Sequence, residues 1–142
     1  MRFSARSYLV LAVAASLLAA PAFGQLVRGR GEAMKPDEVK TALFGIDMQG
    51  YSPTSAMSWR ECIDPKGETL YEIPGQIMRG RLIVSPDGLA CFSYDLDDYA
   101  TINCFVTYRS GDGLRFEGDY GDLFVTTKVV TGVKSCERQL IG

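Results

Sequence analysis

Residues 68–95 read ETLYEI, PG, QIMRGRLIV, SPDG, LACFSYD: three strand-length runs cut by two chain reversals. The runs favour β-branched and aromatic residues, and each separator pairs a Pro that fixes φ with a Gly that tolerates positive φ. The first reversal sets a register. With Pro74-Gly75 at the turn, Glu68 faces Arg81 and Leu70 faces Arg79, while Tyr71 meets Met78 on the opposite, core-side face. Opposite charges across a strand pair stabilise by ~0.2–1 kcal/mol, which gives Glu68 and Arg81 a structural role before any chemical one.

The same texture extends in both directions. Strand-like runs fall at 46–51, 57–62, 68–73, 76–84, 89–95, 101–109, 114–117 and 122–131, with further reversals at Asp64-Pro65-Lys66-Gly67 and Ser110-Gly111-Asp112-Gly113. Such spacing predicts a mainly β fold, an antiparallel up-and-down meander of about eight strands closing into a small lipocalin-like barrel. Closure also hides the strand edges. An eight-stranded interior is just wide enough for side chains to fill, so Trp59, Tyr71, Phe92, Tyr94, Phe105, Tyr108 and Phe116 are expected to build a filled core. A lumen holding an apolar ligand is the alternative. Ahead of the meander, Pro36-Asp37-Glu38 opens a short helix of about three turns, with Val39, Ala42 and Leu43 on one face and Gly45 closing it. The 142 residues allow one domain, taken as 36–142.

Four cysteines, Cys62, Cys91, Cys104 and Cys136, read as two disulfides, with three connectivities open. None forms a Cys-x-x-Cys pair, and their wide spacing disfavours a zinc site. With Asp97-Asp98 at a turn, Cys91 falls opposite Cys104. Cys62 and Cys136 arrive at the same end of a meander, so the expected pairs are Cys91–Cys104 and Cys62–Cys136.

Disulfides need an oxidising compartment, and the N-terminus supplies an export signal. Arg2 and Arg6 precede an apolar run from Tyr8 to Ala20, Pro21 breaks it, and Ala22-Phe23-Gly24 offers small residues for cleavage before Gln25; a cut after Ala22 is the alternative. The apolar run is shorter than the ~20 residues of a membrane span, and no second one follows, so no span is expected after cleavage. Residues 25–35 (QLVRGRGEAMK) read as a flexible leader. Loss of Arg2 and Arg6 takes the formal charge from −2 to about −4, which leaves no basic stripe for nucleic acid.

Catalytic constellations are scarce. The chain has no histidine, so Ser-His-Asp and Cys-His machinery and His-based zinc sites are excluded. No Gly-x-Ser-x-Gly surrounds Ser55 or Ser85. Glu61, Glu68, Glu72 and Glu117 are the carboxylates available to a hydrolase, which needs two at roughly 5–9 Å. Asp95, Asp97, Asp98, Asp119 and Asp122 should share one barrel end and could offer oxygens to a hard cation such as calcium. Asp is also a preferred turn residue, and Asp64, Asp87 and Asp112 decorate the opposite end as regularly. The stretch DLDDYATINCFV lacks the glycine and terminal acid of an EF-hand loop. No catalytic residue, resident metal or cofactor is therefore expected.

From Leu43 to Asp112 the chain carries Leu43-Phe44-Gly45, then Gly50, Trp59 and Gly67, Gly80-Arg81-Leu82, Asp87-Gly88-Leu89-Ala90-Cys91, and Cys104 beyond. This pattern resembles small exported proteobacterial proteins of unknown function that place a Cys…Cys pair in a β meander; where their plan has Gly-x-Trp, this chain has Gly80-Arg81-Leu82. The resemblance implies a bacterial periplasmic or secreted setting and supports Cys91–Cys104, and it carries no activity. The sequence thus points to a non-enzymatic exported module that binds, an envelope accessory protein or inhibitor-like domain meeting an envelope protein. A carrier of a small apolar ligand is the next reading, and a carboxylate hydrolase the last.

Overall fold

A computed structural model of the protein describes residues 31–96 and 99–137. The expected signal over 1–24 lies outside them. Helix α1 (Pro36–Leu43) is followed by β1 (Ile46–Ser52), β2 (Met57–Ile63), β3 (Glu68–Ile73), β4 (Gln76–Val84), β5 (Ala90–Leu96), β6 (Tyr99–Ser110), β7 (Gly113–Gly118) and β8 (Leu123–Thr131). Every strand pairs antiparallel with its sequence neighbour, and β8 returns to β1, so the sheet is a closed eight-stranded barrel. The Pro74-Gly75 hairpin adopts the expected register: Glu68 lies opposite Arg81, Leu70 opposite Arg79, and Tyr71 opposite Met78.

The helix is shorter than expected, 8 residues, because Phe44 has already left the helical region and Gly45 takes a φ of 76° beyond it. Pro36 stands at its start, and the Glu38 carboxylate accepts a 2.8 Å hydrogen bond from the Lys35 backbone N–H, which satisfies one free donor there. Two turns of helix are marginal alone. Burial sustains them: Val39 and Leu43 are fully buried, and they join Ile46, Ile63, Leu82, Ala90 and Leu114 in the core. The helix thereby plugs the barrel end where β1 begins.

The leader expected over 25–35 is engaged before it ends. Ala33 bridges Tyr108, the Met34 N–H donates to the Thr107 carbonyl at 2.9 Å, and Met34 is buried in the core. The reason is an overhang. Strand β5 starts at Ala90, opposite Phe105, so β6 beyond that point is free on one side and takes a short partner from the incoming chain.

Both disulfides pair as expected, Cys62–Cys136 and Cys91–Cys104. Cys91 lies directly opposite Cys104, with a Cα–Cα distance of 4.0 Å. Cys62 faces outward on β2, and its bridge draws the segment after β8 onto the outside of the barrel, where the Val133 N–H also donates to the Gly45 carbonyl at 3.0 Å. On the same outer face Arg60 clamps three strands. Its Nε and Nη2 donate to Asp47 on β1 at 2.9 and 2.6 Å, and Nη1 donates to Glu72 on β3 at 3.0 Å.

Candidate functional site

Side-chain parity divides the barrel into two halves. Along β2 the inward positions are Trp59, Glu61 and Ile63, running from the open end to the plugged one. Below Glu61 the interior is packed. Above it the interior departs from the filled core the strand count predicts. A cavity of about 230 Å³ remains, lined by Trp59, Glu61 and Met48, by Asn103 and Asp122, and by six further aromatic rings. For scale, a dry cavity of about 150 Å³ accepts benzene.

The space exists because of glycines paired with rings. Gly50 lies opposite Trp59, Gly80 opposite Tyr94, and Gly118 opposite Phe105. A Cβ on Gly80 would press on the Ser93 carbonyl and lie 2.7 Å from Tyr94 Cδ1; one on Gly50 would collide with the Val125 carbonyl and the Trp59 indole. Without those Cβ atoms the rings fold back against the wall instead of crossing the lumen. They then meet edge to face around it. Trp59 contacts Phe116 and Phe124 at centroid distances of 6.4 and 5.9 Å, Phe124 contacts Phe105 at 5.5 Å, and Phe105 contacts Phe92 at 6.1 Å. Phe92 stacks on Tyr94 at 6.3 Å, and Tyr94 meets Tyr71 at 5.4 Å, which completes a belt of seven rings. Such contacts are the preferred aromatic arrangement. Gly80→Ala is expected to destabilise the protein by ~1–3 kcal/mol, because the added methyl would press on the Ser93 backbone carbonyl, which the β4–β5 ladder holds in place. Urea unfolding of the variant against wild type checks it.

Glu61 is the group that does not belong in an apolar wall. It is 3% exposed, its Oε2 accepts a 2.6 Å hydrogen bond from the Tyr94 hydroxyl, and its Oε1 has no hydrogen-bond partner. Burial pushes the carboxyl up to about 8, with the Tyr94 hydroxyl, and more weakly that of Thr69, pulling the other way. A buried carboxylate without a counter-charge keeps its proton, so at neutral pH Glu61 is mainly a neutral acid. Burial and the nearby Glu61 together raise Tyr71 to about 12 and Tyr94 well above its ordinary value, so both phenols remain donors. The Trp59 Nε1–H, also buried, lacks a partner as well.

The other three glutamates lie outside the barrel. Glu68 pairs loosely with Arg81 at 3.6 Å, Glu72 accepts from Arg60, and Glu117 lies 3.3 Å from Arg115 Nε. A wall of backbone separates them from Glu61, so the four do not converge as hydrolase carboxylates. Of the five aspartates at the open end, Asp122 lines the cavity mouth, while Asp95 and Asp119 are exposed. Asp97 and Asp98 lie outside the described residues. Among the described residues no group of three or more Asp, Glu, Cys or His converges in a way that could hold a metal ion. Ser85 serves its turn, accepting a 2.9 Å hydrogen bond from the Leu89 N–H.

Sequence reasoning took Glu61 only as one carboxylate among four. The alternation Trp59-x-Glu61-x-Ile63 is the signal that sets it inside, between two apolar interior residues. No family model, curated protein or solved structure matches this chain.

Proposed function

We propose that the upper half of the barrel is a binding site for one small, largely apolar ligand, and that the protein is an exported carrier of it. The observation that carries this reading is the lumen itself, about 230 Å³ walled by aromatic rings and open at one end. Ligand sites are typically concave and apolar with few polar groups to fix orientation, and here Glu61, Trp59 Nε1 and Asn103 are those groups. Two disulfides support an oxidising compartment for the folded chain. The signal-like N-terminus and the resemblance to exported bacterial proteins support the periplasm or the cell exterior as that compartment. Among the described residues no helix is long and apolar enough to cross a membrane.

Binding to an envelope protein is the second reading, and one observation favours it. Ile83 and Ile102 are 57% and 67% exposed on the outer face beside the Cys91–Cys104 bridge. Single exposed apolar residues are common, however, and they weigh less than an internal cavity.

Trp59 is the only tryptophan and lines the lumen, so its emission reports occupancy. Titration of the oxidised protein with propylbenzene is expected to give a saturable shift in that emission. A response linear to the solubility limit would defeat the carrier reading.

A further inference from the structure

An apolar lumen explains the rings but not the acid among them. An apolar ligand alone would leave Glu61 Oε1 short of donors, since Tyr94 serves Oε2 and only the weaker pull of the Thr69 hydroxyl remains, and a buried polar atom short of donors carries a penalty. The cavity has a sign as well. Among the described residues its carboxyl groups are Glu61 in the wall and Asp122 at the mouth, and neither lysine nor arginine lines it. The seven rings add to that sign, because an aromatic face carries negative quadrupole density and attracts a cation held over it.

We propose that the ligand is a small organic amine carried as its ammonium ion, an aryl-alkyl amine in class, with the ammonium on Glu61 Oε1 and the hydrocarbon body against the aromatic belt. The inference rests on the carrier reading and adds the charge and chemistry of the ligand to it. An ammonium supplies the donor that Oε1 lacks and the counter-charge that lets the carboxyl ionise, while Tyr94 continues to donate to Oε2. A ring with a two-carbon amine tail suits the volume. Asp122 at the mouth favours approach of a cation over that of an anion.

The titratable groups facing Glu61 are Tyr71 on β3 and Tyr94 on β5, both held neutral, with Asp122 at the rim. Binding therefore exchanges one proton. The acid form of Glu61 must release its proton to solvent before it pairs with an ammonium, so the amine binds more tightly as pH rises toward about 8 and then levels off.

The test compares three ligands of nearly one shape on the oxidised protein, by Trp59 emission: 2-phenylethylamine, propylbenzene and 3-phenylpropanoate. The amine is expected to bind at least tenfold more tightly than propylbenzene near pH 8, and the anion most weakly. Its affinity should rise about tenfold per pH unit between pH 6 and 7, while that of propylbenzene stays flat. Glu61→Gln should lower the affinity for the amine at least tenfold near pH 8 and abolish its pH dependence. Saturable propylbenzene binding with no preference for the amine, or a preference for the anion through Trp59 Nε1, would overturn the amine assignment and leave the carrier standing. Failure of all three to bind would overturn both. Cooperative urea unfolding of Glu61→Gln, followed by Trp59 emission, shows that the variant is folded.

Discussion

Between about pH 5 and pH 8 the empty protein is expected to lose on the order of 4 kcal/mol of stability, and Glu61→Gln is expected to remove most of that loss. The sign follows from the direction in which burial moves the carboxyl. Glu61 ionises near 4.5 in an unfolded chain and near 8 inside the barrel, so the folded state holds its proton more tightly. Its contribution is fully present below 4.5, where both states are protonated, and drains away as pH rises through the folded value. Each tenfold gain in proton affinity corresponds to ~1.4 kcal/mol. Gln keeps an acceptor for the Tyr94 hydroxyl and has no proton to lose. Urea unfolding of both proteins at several pH values checks the difference, with all other titrating groups shared. Parallel curves would show that the Glu61 carboxyl is solvated in the native protein. The same measurement with saturating 2-phenylethylamine should flatten the wild-type curve, because the ammonium lets the carboxyl ionise inside the barrel.

The proposed carrier role accounts for this penalty, because a ligand that enters the lumen would offset it. A barrel built for stability alone would carry Leu or Val at position 61 and side chains that fill the space beside it. Each of those departures acts in the same place, the upper half of the interior. Structural sites sacrificed in one region while the other half is packed to full burial are the expected mark of a binding site.

How much of this was legible varies with the range of the interaction. Turns are local, so Pro74-Gly75 and Ser85-Pro86-Asp87-Gly88 placed β3, β4 and β5 to within a residue. The hairpin register placed Cys91 against Cys104 because both flank one turn. The lumen was not legible, since it depends on pairs such as Gly50–Trp59 and Gly118–Phe105. A glycine in a strand signals a close approach only once its partner across the ladder is known, and Gly50 is pressed by Val125 from β8 as well, which lies at the far end of the chain. Strand count alone gave the contrary expectation of a filled interior. Arg60 shows the reverse case. It reads as an exposed outward residue by alternation, yet Asp47 and Glu72 on the flanking strands hold it almost out of solvent, with its side chain 10% exposed. Glu72, read as a candidate for chemistry, proves to be a structural partner.

Removing the Cys62–Cys136 bridge is expected to cost the protein about 4 kcal/mol, against about 3 kcal/mol for Cys91–Cys104, in the chain-entropy model. The bridges close loops with sequence separations of 74 and 13 residues, and the longer loop loses more freedom when tied in the unfolded chain. The two also differ in what their loss does to the fold. Cys91 and Cys104 already sit opposite each other in a hairpin whose ladder persists without the bridge. Cys136 lies beyond the last strand, and the bridge, together with the hydrogen bond at Gly45, ties its segment to the barrel beside β2. That segment backs the strand whose inner face presents Trp59 and Glu61. Cys62→Ala with Cys136→Ala should therefore lower the urea midpoint more than Cys91→Ala with Cys104→Ala, and should also weaken propylbenzene binding, which the second pair should leave close to wild type. Equal losses in both measurements would mean that the tail contributes nothing to the wall behind the site. A domain of this size has only ~5–15 kcal/mol of stability in all. Loss of both bridges, ~7 kcal/mol together, is comparable with that total, so on the carrier reading the reduced chain is expected to bind propylbenzene more weakly than the oxidised one.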